Sequence, residues 1–424
     1  MTTLFILLGL FALLLAGVPI AFALGGMGLT LLMVGGFSPL MVPQGLLSSV
    51  DSFIMLSVPL FILMSNVLLK GGVGKDLFSA VQAWVGHWPG GLAIATILSC
   101  GMFAAISGSS VATAATIGTV AIPEMTERGY PRKFVLGLLA AGGTLGILIP
   151  PSIPMIVYGV ITEESITSLF LAGVMPGLML MGLFILFAVL YSTFSASYQR
   201  SPRADWGTRR RTAIRALPTV LLASYIILGI YRGYFTPTEA SAIGLLGALV
   251  VTGVVLRTMT IRKLWDALKQ SMVTSVSILV IVAGAKVFGK AITLYRIPQD
   301  ISMAISHAVD TPGLFILLVA GVLLLMGLFL ESLSMMLIMV PVLSGSVMML
   351  GLDPVWFGVF FVLMVECALI TPPVGMNIYV IQAVGKADLG EVTIGVLPFL
   401  FLMLLSVAAV YFWPDIVLWI PFKM

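Results

Sequence analysis

Apolar positions run along the chain in long blocks, and block length sets the first expectations. A membrane-spanning helix needs about 20 mostly apolar residues. Blocks near 3–17, 19–36, 50–69, 134–160, 168–193, 215–232, 237–256, 272–294, 355–381 and 391–413 predict ten spans. Two further blocks, 92–123 and 312–350, are broken midway by Ser107-Gly108-Ser109-Ser110 and by Gly327-Leu328-Phe329-Leu330-Glu331-Ser332. Each predicts two short helices meeting at a tip, a hairpin that enters the membrane and returns. Non-helical backbone at that depth is tolerated only when packed in protein or facing a cavity. The stretch 75–91, with Lys75, Asp76, Gln82, His87 and Trp88, predicts an amphipathic helix along the interface. Trp84, Trp88, Trp413 and Trp419 are expected as interfacial anchors. The apolar run 4–16 has no Lys or Arg before it and reads as a retained helix, not a signal peptide.

The pattern repeats. Pro19 and Pro237 are 218 residues apart, as are Pro123 and Pro341. Pro150-Pro151 and Pro372-Pro373 are 222 apart, as are Gly173-Val174-Met175-Pro176 and Gly395-Val396-Leu397-Pro398. A net four-residue insertion between Pro341 and Pro372 would reconcile the two offsets. The expected organisation is a first repeat over 1–195, a basic cytoplasmic linker over 196–215 and a second repeat over 216–424. Each repeat holds about five spans and one hairpin, and an odd number of spans inverts the second relative to the first. The expected fold class is an all-α polytopic membrane protein of two inverted-topology repeats, which points to a secondary transporter.

Composition agrees. Of 424 residues, 60% are hydrophobic and 9% charged, against about 45–50% and 25% in soluble domains. Lipid must be the solvent for most of this surface, which excludes a soluble enzyme, a disordered chain and a nucleic-acid-binding domain. The net charge of +4 is therefore a matter of topology. With the amino terminus outside and both broken blocks re-entrant, inside loops hold 16 of the 21 Lys and Arg residues. The other five are Arg232, Lys286, Lys290, Arg296 and Lys423, so the positive-inside rule is obeyed. The run Arg209-Arg210-Arg211 reads first as an orientation signal. Cys100 and Cys367 sit in apolar runs, and His87 and His307 lack partners at metal-ligand spacing.

The chemistry is expected at the hairpin tips and the double-proline breaks. Two consecutive prolines cannot sit in a continuous helix, because both lack an N–H donor and crowd the preceding turn. The first break frees carbonyls around Gly146 to Ile149. Together with the tip serines, and with Thr113 and Thr116 further along, these are neutral, hard oxygens that suit Na⁺ without a carboxylate. The second half offers Gly327, Glu331, Ser332 and Ser334 at its tip and Thr371 and Asn377 at its break. Two clusters imply at least two cation sites, and the amino end of a hairpin's second helix would face an anionic substrate. Ser/Gly-rich stretches also serve as close helix-packing surfaces; matched Pro-Pro breaks tip the balance toward function. Glu331, Glu366, Lys286 and Glu239 are charges within or beside spans and default to functional candidates. Lys286 could pair with Glu331 or Glu366, and Glu239 reads as a helix-start residue.

Taken together, the Ser107–Ser110 tip, Gly142-Gly143-Thr144-Leu145-Gly146-Ile147-Leu148-Ile149-Pro150-Pro151-Ser152, Phe235-Thr236-Pro237-Thr238-Glu239-Ala240 and Thr371-Pro372-Pro373-Val374-Gly375-Met376-Asn377 resemble one family. It is the DctM-type large permease subunit of tripartite ATP-independent periplasmic (TRAP) transporters, and the resemblance covers essentially the whole chain. It implies an elevator-type fold in a bacterial or archaeal inner membrane, and the charge count places both termini in the periplasm. It implies a small four-helix membrane subunit and an extracytoplasmic substrate-binding protein as partners. Uptake of an organic acid anion (a dicarboxylate, 2-oxo acid, sugar acid or sialic acid) would be driven by Na⁺ and need no cofactor; no Walker A pattern is present. The family pattern puts a first Na⁺ site on Ser107, Gly108, Ser110, Gly142, Gly146, Ile149 and Pro150. It puts a second on Gly327, Ser332, Ala368, Thr371, Gly375 and Met376. Substrate is expected near Ser109, Pro151, Ser152, Glu331, Pro373 and Asn377. The alternative is a stand-alone Na⁺/anion symporter needing no binding protein. An intramembrane protease is disfavoured, since neither Gly-x-Ser-Gly with a core histidine nor Gly-x-Gly-Asp occurs, and a channel does not explain the paired hairpins.

Overall fold

The computed structural model describes residues 2–194, 198–308 and 311–423, and they are all helical or in short connections. The chain begins with α1 (Thr2–Leu15), α2 (Ile20–Val34), α3 (Met41–Val50) and α4 (Ser57–Lys70), the last entered by a 3₁₀ turn at Ile54–Leu56. Then come α5 (Val73–Val85), α6 (Gly91–Ser107), α7 (Ser110–Glu127), α8 (Arg132–Leu148), α9 (Ile153–Thr162) and α10 (Ile166–Phe194). The second half contains α11 (Trp206–Tyr231), α12 (Pro237–Val250, continued by a π turn over Val251–Val255), α13 (Ile261–Leu294) and α14 (Ile297–Ala308). It ends with α15 (Pro312–Met326), α16 (Ser332–Met349), α17 (Pro354–Leu369), α18 (Met376–Gly385), α19 (Leu389–Phe412) and α20 (Asp415–Lys423).

Among the described residues six helices are long and apolar enough to cross a membrane, or eight if each of two bent pairs counts as one span. Several expected spans are shorter than their apolar blocks. Gly17 at φ +80° and then Pro19 part α1 from α2, which have 14 and 15 residues. Both broken blocks divide into two helices at the expected tips, α6–α7, which pack on each other, and α15–α16, and both Pro-Pro sites break a helix, α8–α9 (bent by 41°) and α17–α18. The peptides Pro150-Pro151 and Pro372-Pro373 are both cis.

Two expectations are corrected. Helices α7 and α16 both have 18 residues and begin at Ser110 and Ser332, already 222 apart. The four-residue difference therefore falls before α16, not between Pro341 and Pro372, and Pro123 and Pro341 occupy different turns of their helices. Residues 206–215, expected in the linker, are the first turns of α11. Asp205 starts that helix: its carboxylate accepts from the Thr208 N–H at 3.1 Å and from the Thr208 hydroxyl. Those donors hold the Asp205 carboxyl below its ordinary range. The arginines masked a capped helix start. Residues 196 and 197 of the linker, and the side chain of His307, lie outside those described.

The helices sort into two groups. Helix α13 packs along α2, α3 and α4, and α12 packs on α4. Hairpin helices α6 and α7 pack on α8, and α15 and α16 on α17. Across the halves α7 meets α18, and α16 meets α9. At the α8–α19 crossing, a Cβ on Gly137 would stand 1.9 Å from the Gly395 carbonyl oxygen, so only glycine allows that approach. The amphipathic helix forms as α5, but its apolar face packs on α6 and α11. Asp76 of α5 is buried and bound to Arg215 Nε at 2.7 Å, and the Arg209 guanidinium lies 5.5 Å from the Trp84 ring centre.

Candidate ion and substrate site

The first tip is short. Ser107 ends α6, Gly108 takes the left-handed conformation at φ +57°, and Ser109 caps α7. Ser107 Oγ and Thr113 Oγ1 share a 2.8 Å hydrogen bond, and Thr113 Oγ1 donates to the Ser109 carbonyl at 2.8 Å. The break presses on this cluster. A Cβ on Gly146 would lie 2.6 Å from the Ser109 carbonyl oxygen and 2.8 Å from Thr113 Oγ1; one on Gly108 would lie 2.7 Å from the Pro151 carbonyl oxygen. The Thr113 hydroxyl and the Ser109 carbonyl thus converge on a glycine that leaves them room, with the Ser107 hydroxyl bonded to the first. All are uncharged hard oxygens, a donor set that fits Na⁺. Gly142 faces elsewhere, 3.1 Å from Cys100 Sγ at its would-be Cβ, and serves close packing of α8 on α6. Ile149 is half-buried and Pro150 buried at the break itself.

The second tip is longer. Gly327 follows α15, and the chain runs through Glu331 before Ser332 begins α16. A Cβ on Gly327 would lie 2.2 Å from Ala368 Cβ, so this tip also sits directly on its break. A Cβ on Gly375 would lie 2.5 Å from the Leu369 carbonyl oxygen, and the Thr371 hydroxyl donates to the Cys367 carbonyl at 2.7 Å. Ser332 and Thr371 are half-buried, while Met376 and Pro373 are exposed. Glu331 occupies the cap position of α16 without a side-chain cap bond. Glu366 is wholly buried in α17, and neither carboxyl oxygen has a hydrogen-bond partner among the described residues. Lys286 instead donates to the Ser48 carbonyl at 3.4 Å. Among the described residues no group of three or more His, Cys, Asp or Glu could hold a metal.

Both tips open on one cavity of about 960 Å³. Ser107 to Ser110, Ile153, Glu331, Ser332, Leu369 and Met376 form one wall. Ser65, Asn66 and Lys70 of α4 and Gln270, Thr274 and Ser277 of α13 form the other. Of the residues expected near substrate, Ser109 and Glu331 line this space. Pro151, Ser152 and Asn377 are buried behind it, and Pro373 is exposed but does not line it. The Ser152 hydroxyl is engaged by the Ile147 carbonyl. The Asn377 amide donates to Ser110 Oγ at 2.5 Å and to the Ala140 carbonyl at 3.1 Å, tying the second break to the first tip. The α4 and α13 wall went unread in the sequence. Its signal was there: Gln270, Thr274 and Ser277 recur at helical spacing along one face of α13.

Known proteins match this architecture. The solved structure of the Alcanivorax borkumensis YdaH transporter superposes with a TM-score of 0.62 at 16% identity, covering 89% of this chain and 88% of that one. A C4-dicarboxylate TRAP transporter large permease protein of Pseudomonas aeruginosa is 39% identical over 88% of this chain and 87% of its own length. A sialic acid TRAP transporter large permease protein of Vibrio cholerae is 34% identical over 97% of each. The family described as "Tripartite ATP-independent periplasmic transporter, DctM component" matches residues 7–416. The chain therefore belongs to the DctM family of TRAP transporters, as a multi-pass permease subunit and not an enzyme.

Proposed function

We propose that this chain is the translocation path for an organic acid anion, coupled to Na⁺ and supplied by an extracytoplasmic binding protein, with a small four-helix subunit beside it. The observation that carries this reading is the cavity's position between two groups of helices. Hairpin tips and breaks form one wall, and α4 and α13 form the other. Sliding the hairpins and broken helices past the α4–α13 wall would move the cavity's contents across the membrane, an elevator motion. The same order of elements in each half supports inverted repeats over 1–195 and 206–424, joined by a linker shorter than first expected. The neutral oxygens around Gly146 and the glycine contact at Gly327 are the proposed Na⁺ positions. The amino ends of α7 and α16 meet at the cavity and favour an acidic ligand. Dicarboxylate and sialic acid in the relatives' names supply the substrate class.

With basic loops inside, both termini are periplasmic and the cavity's Lys70 end faces the cytoplasm. The test is uptake by proteoliposomes holding this chain and its small subunit, with binding protein and a panel of labelled organic acids. Uptake that needs both an inward Na⁺ gradient and the binding protein is expected. Uptake by the chain alone, indifferent to the binding protein, would replace this reading with a stand-alone symporter.

A further inference from the structure

The cavity's charged lining is uneven. Glu331 stands at the hairpin tips, while Lys70 and Lys75 stand at the far end. Lys70 is the last residue of α4 and Lys75 lies in the first turn of α5. Between them Gly72, at φ +80°, lets the chain bend by 64°, and both lysines line the same space. Neither lysine has an ion-pair partner among the described residues. Asp76, which follows Lys75, is buried and held by Arg215 Nε at 2.7 Å, so it does not neutralise its neighbour. Between tips and lysines the α4–α13 wall is polar. Asn66 Nδ2 donates to Ser271 Oγ at 2.8 Å and fixes α4 on α13. Thr274 and Ser277 give their hydroxyl protons to their own helix, at 3.1 and 2.9 Å. Their oxygens are left as acceptors, so donors to an anion along this wall come from residues such as Asn66, Gln270 and the two lysines.

We propose that Lys70 and Lys75 form an anion-attracting mouth, which draws the acidic group of the substrate from the hairpin tips along the α4–α13 wall and out of the cavity. The proposal rests on the reading of the chain as an anion permease. A cleft lined by one sign of charge between low-dielectric walls concentrates the opposite sign. Glu331 at the inner end pushes the same way, so the field runs from tips to mouth. A lysine at the end of α4 also complements the helix carbonyls. That role needs no place on a cavity wall and does not account for Lys75, which lies beyond α4.

The field can be read without transport. Ser277 is exposed on the wall, whereas native Cys100 and Cys367 are buried. In the Ser277→Cys protein, solubilised with its small subunit, the modification rates of an anionic and a cationic methanethiosulfonate reagent give a ratio. Adding Lys70→Gln and Lys75→Gln together is expected to lower the anionic-to-cationic ratio about 3- to 10-fold. Lys70→Arg with Lys75→Arg leaves it unchanged, and Glu331→Gln raises it. A ratio indifferent to both lysines overturns the proposal even if the parent protein transports well. If Lys70→Gln impairs folding, the exposed Lys75→Gln alone must still lower the ratio. In proteoliposomes the double Gln variant is expected to slow uptake several-fold while the KM set by the binding protein stays constant. Absence of uptake in the parent protein would count against the anion-permease reading and leave the reagent ratio to decide the mouth.

Discussion

Two residues, Gly108 and Ser109, join the helices of the first hairpin; five, from Gly327 to Glu331, join those of the second. The first tip is tied by its own hydroxyls and is bonded from the other half by Asn377. The second tip carries Phe329 at 71% exposure and lacks a side-chain cap on α16. Its break is open as well, with Pro373 exposed where Pro151 is buried. Similar motifs have thus produced a closed tip and a loose one. A closed cluster is preorganised for its ion and gives up little freedom on binding; a loose one must be ordered as it fills. The proposed first site should therefore bind Na⁺ with little rearrangement, and the second should close around its ion.

The largest effects test this asymmetry directly. Gly146→Ala puts a methyl group 2.6 Å from the Ser109 carbonyl oxygen, inside a tip that cannot give way. Overpacking costs about 1–3 kcal/mol, or about 5- to 140-fold in Na⁺ affinity, read from the Na⁺ dependence of uptake. Gly327→Ala makes a closer contact, 2.2 Å from Ala368 Cβ, yet its long tip can shift. A smaller loss is expected, within about tenfold. Equal losses at the two glycines would mean the second tip is as stiff as the first.

Asn377→Ala comes next. It removes the side-chain donor to Ser110 Oγ and the second donor to the Ala140 carbonyl in a fully buried place. Such a loss costs about 1–3 kcal/mol and should appear as a lower unfolding temperature of the purified complex. Because the bond joins the second break to the first tip, Na⁺ affinity should fall alongside stability. An unchanged unfolding temperature would show that this link does not hold the first tip closed.

Hairpins and breaks were legible because their signals are backbone signals. Pro-Pro forbids a continuous helix wherever it stands, and the Gly/Ser breaks were read as tips, not packing surfaces, because matched Pro-Pro breaks accompany them in both halves. Facing was not legible. Ser152 and Asn377 looked like ligands by residue type, and both are buried behind the cavity making protein hydrogen bonds. Whether a hydroxyl or amide faces a cavity depends on helices brought together from distant parts of the chain, here α18 against α7. The α4–α13 wall was missed for the opposite reason, since each of its polar residues looks like a tolerated exception in an apolar span. The expected basic linker over 196–215 includes the first turns of α11, whose start was legible in Asp205 before Trp206, an ordinary helix cap.

The smallest expected effects separate the two sites by their hydroxyls. Ser107 is buried and its hydroxyl is bonded to Thr113 Oγ1, so Ser107→Ala removes a donor atom and one of the two hydrogen bonds of Thr113 Oγ1, which keeps its bond to the Ser109 carbonyl. A net loss of about 1–1.5 kcal/mol predicts about a 5- to 12-fold rise in the half-saturating Na⁺ concentration. Thr371 is half-buried, and its hydroxyl donates to the carbonyl one turn back in its own chain. Thr371→Val keeps the branched shape, and the main-chain carbonyls of the break remain. Less than about a threefold change is expected, because a local bond of this kind contributes at the low end of the hydrogen-bond range. The reverse order, with Thr371→Val the more damaging, would mean that the open break relies on its side-chain oxygen and that the closed tip is held by packing alone. The ion would then order the second site through Thr371, and preorganisation of the first would owe more to Gly146 than to its hydroxyls.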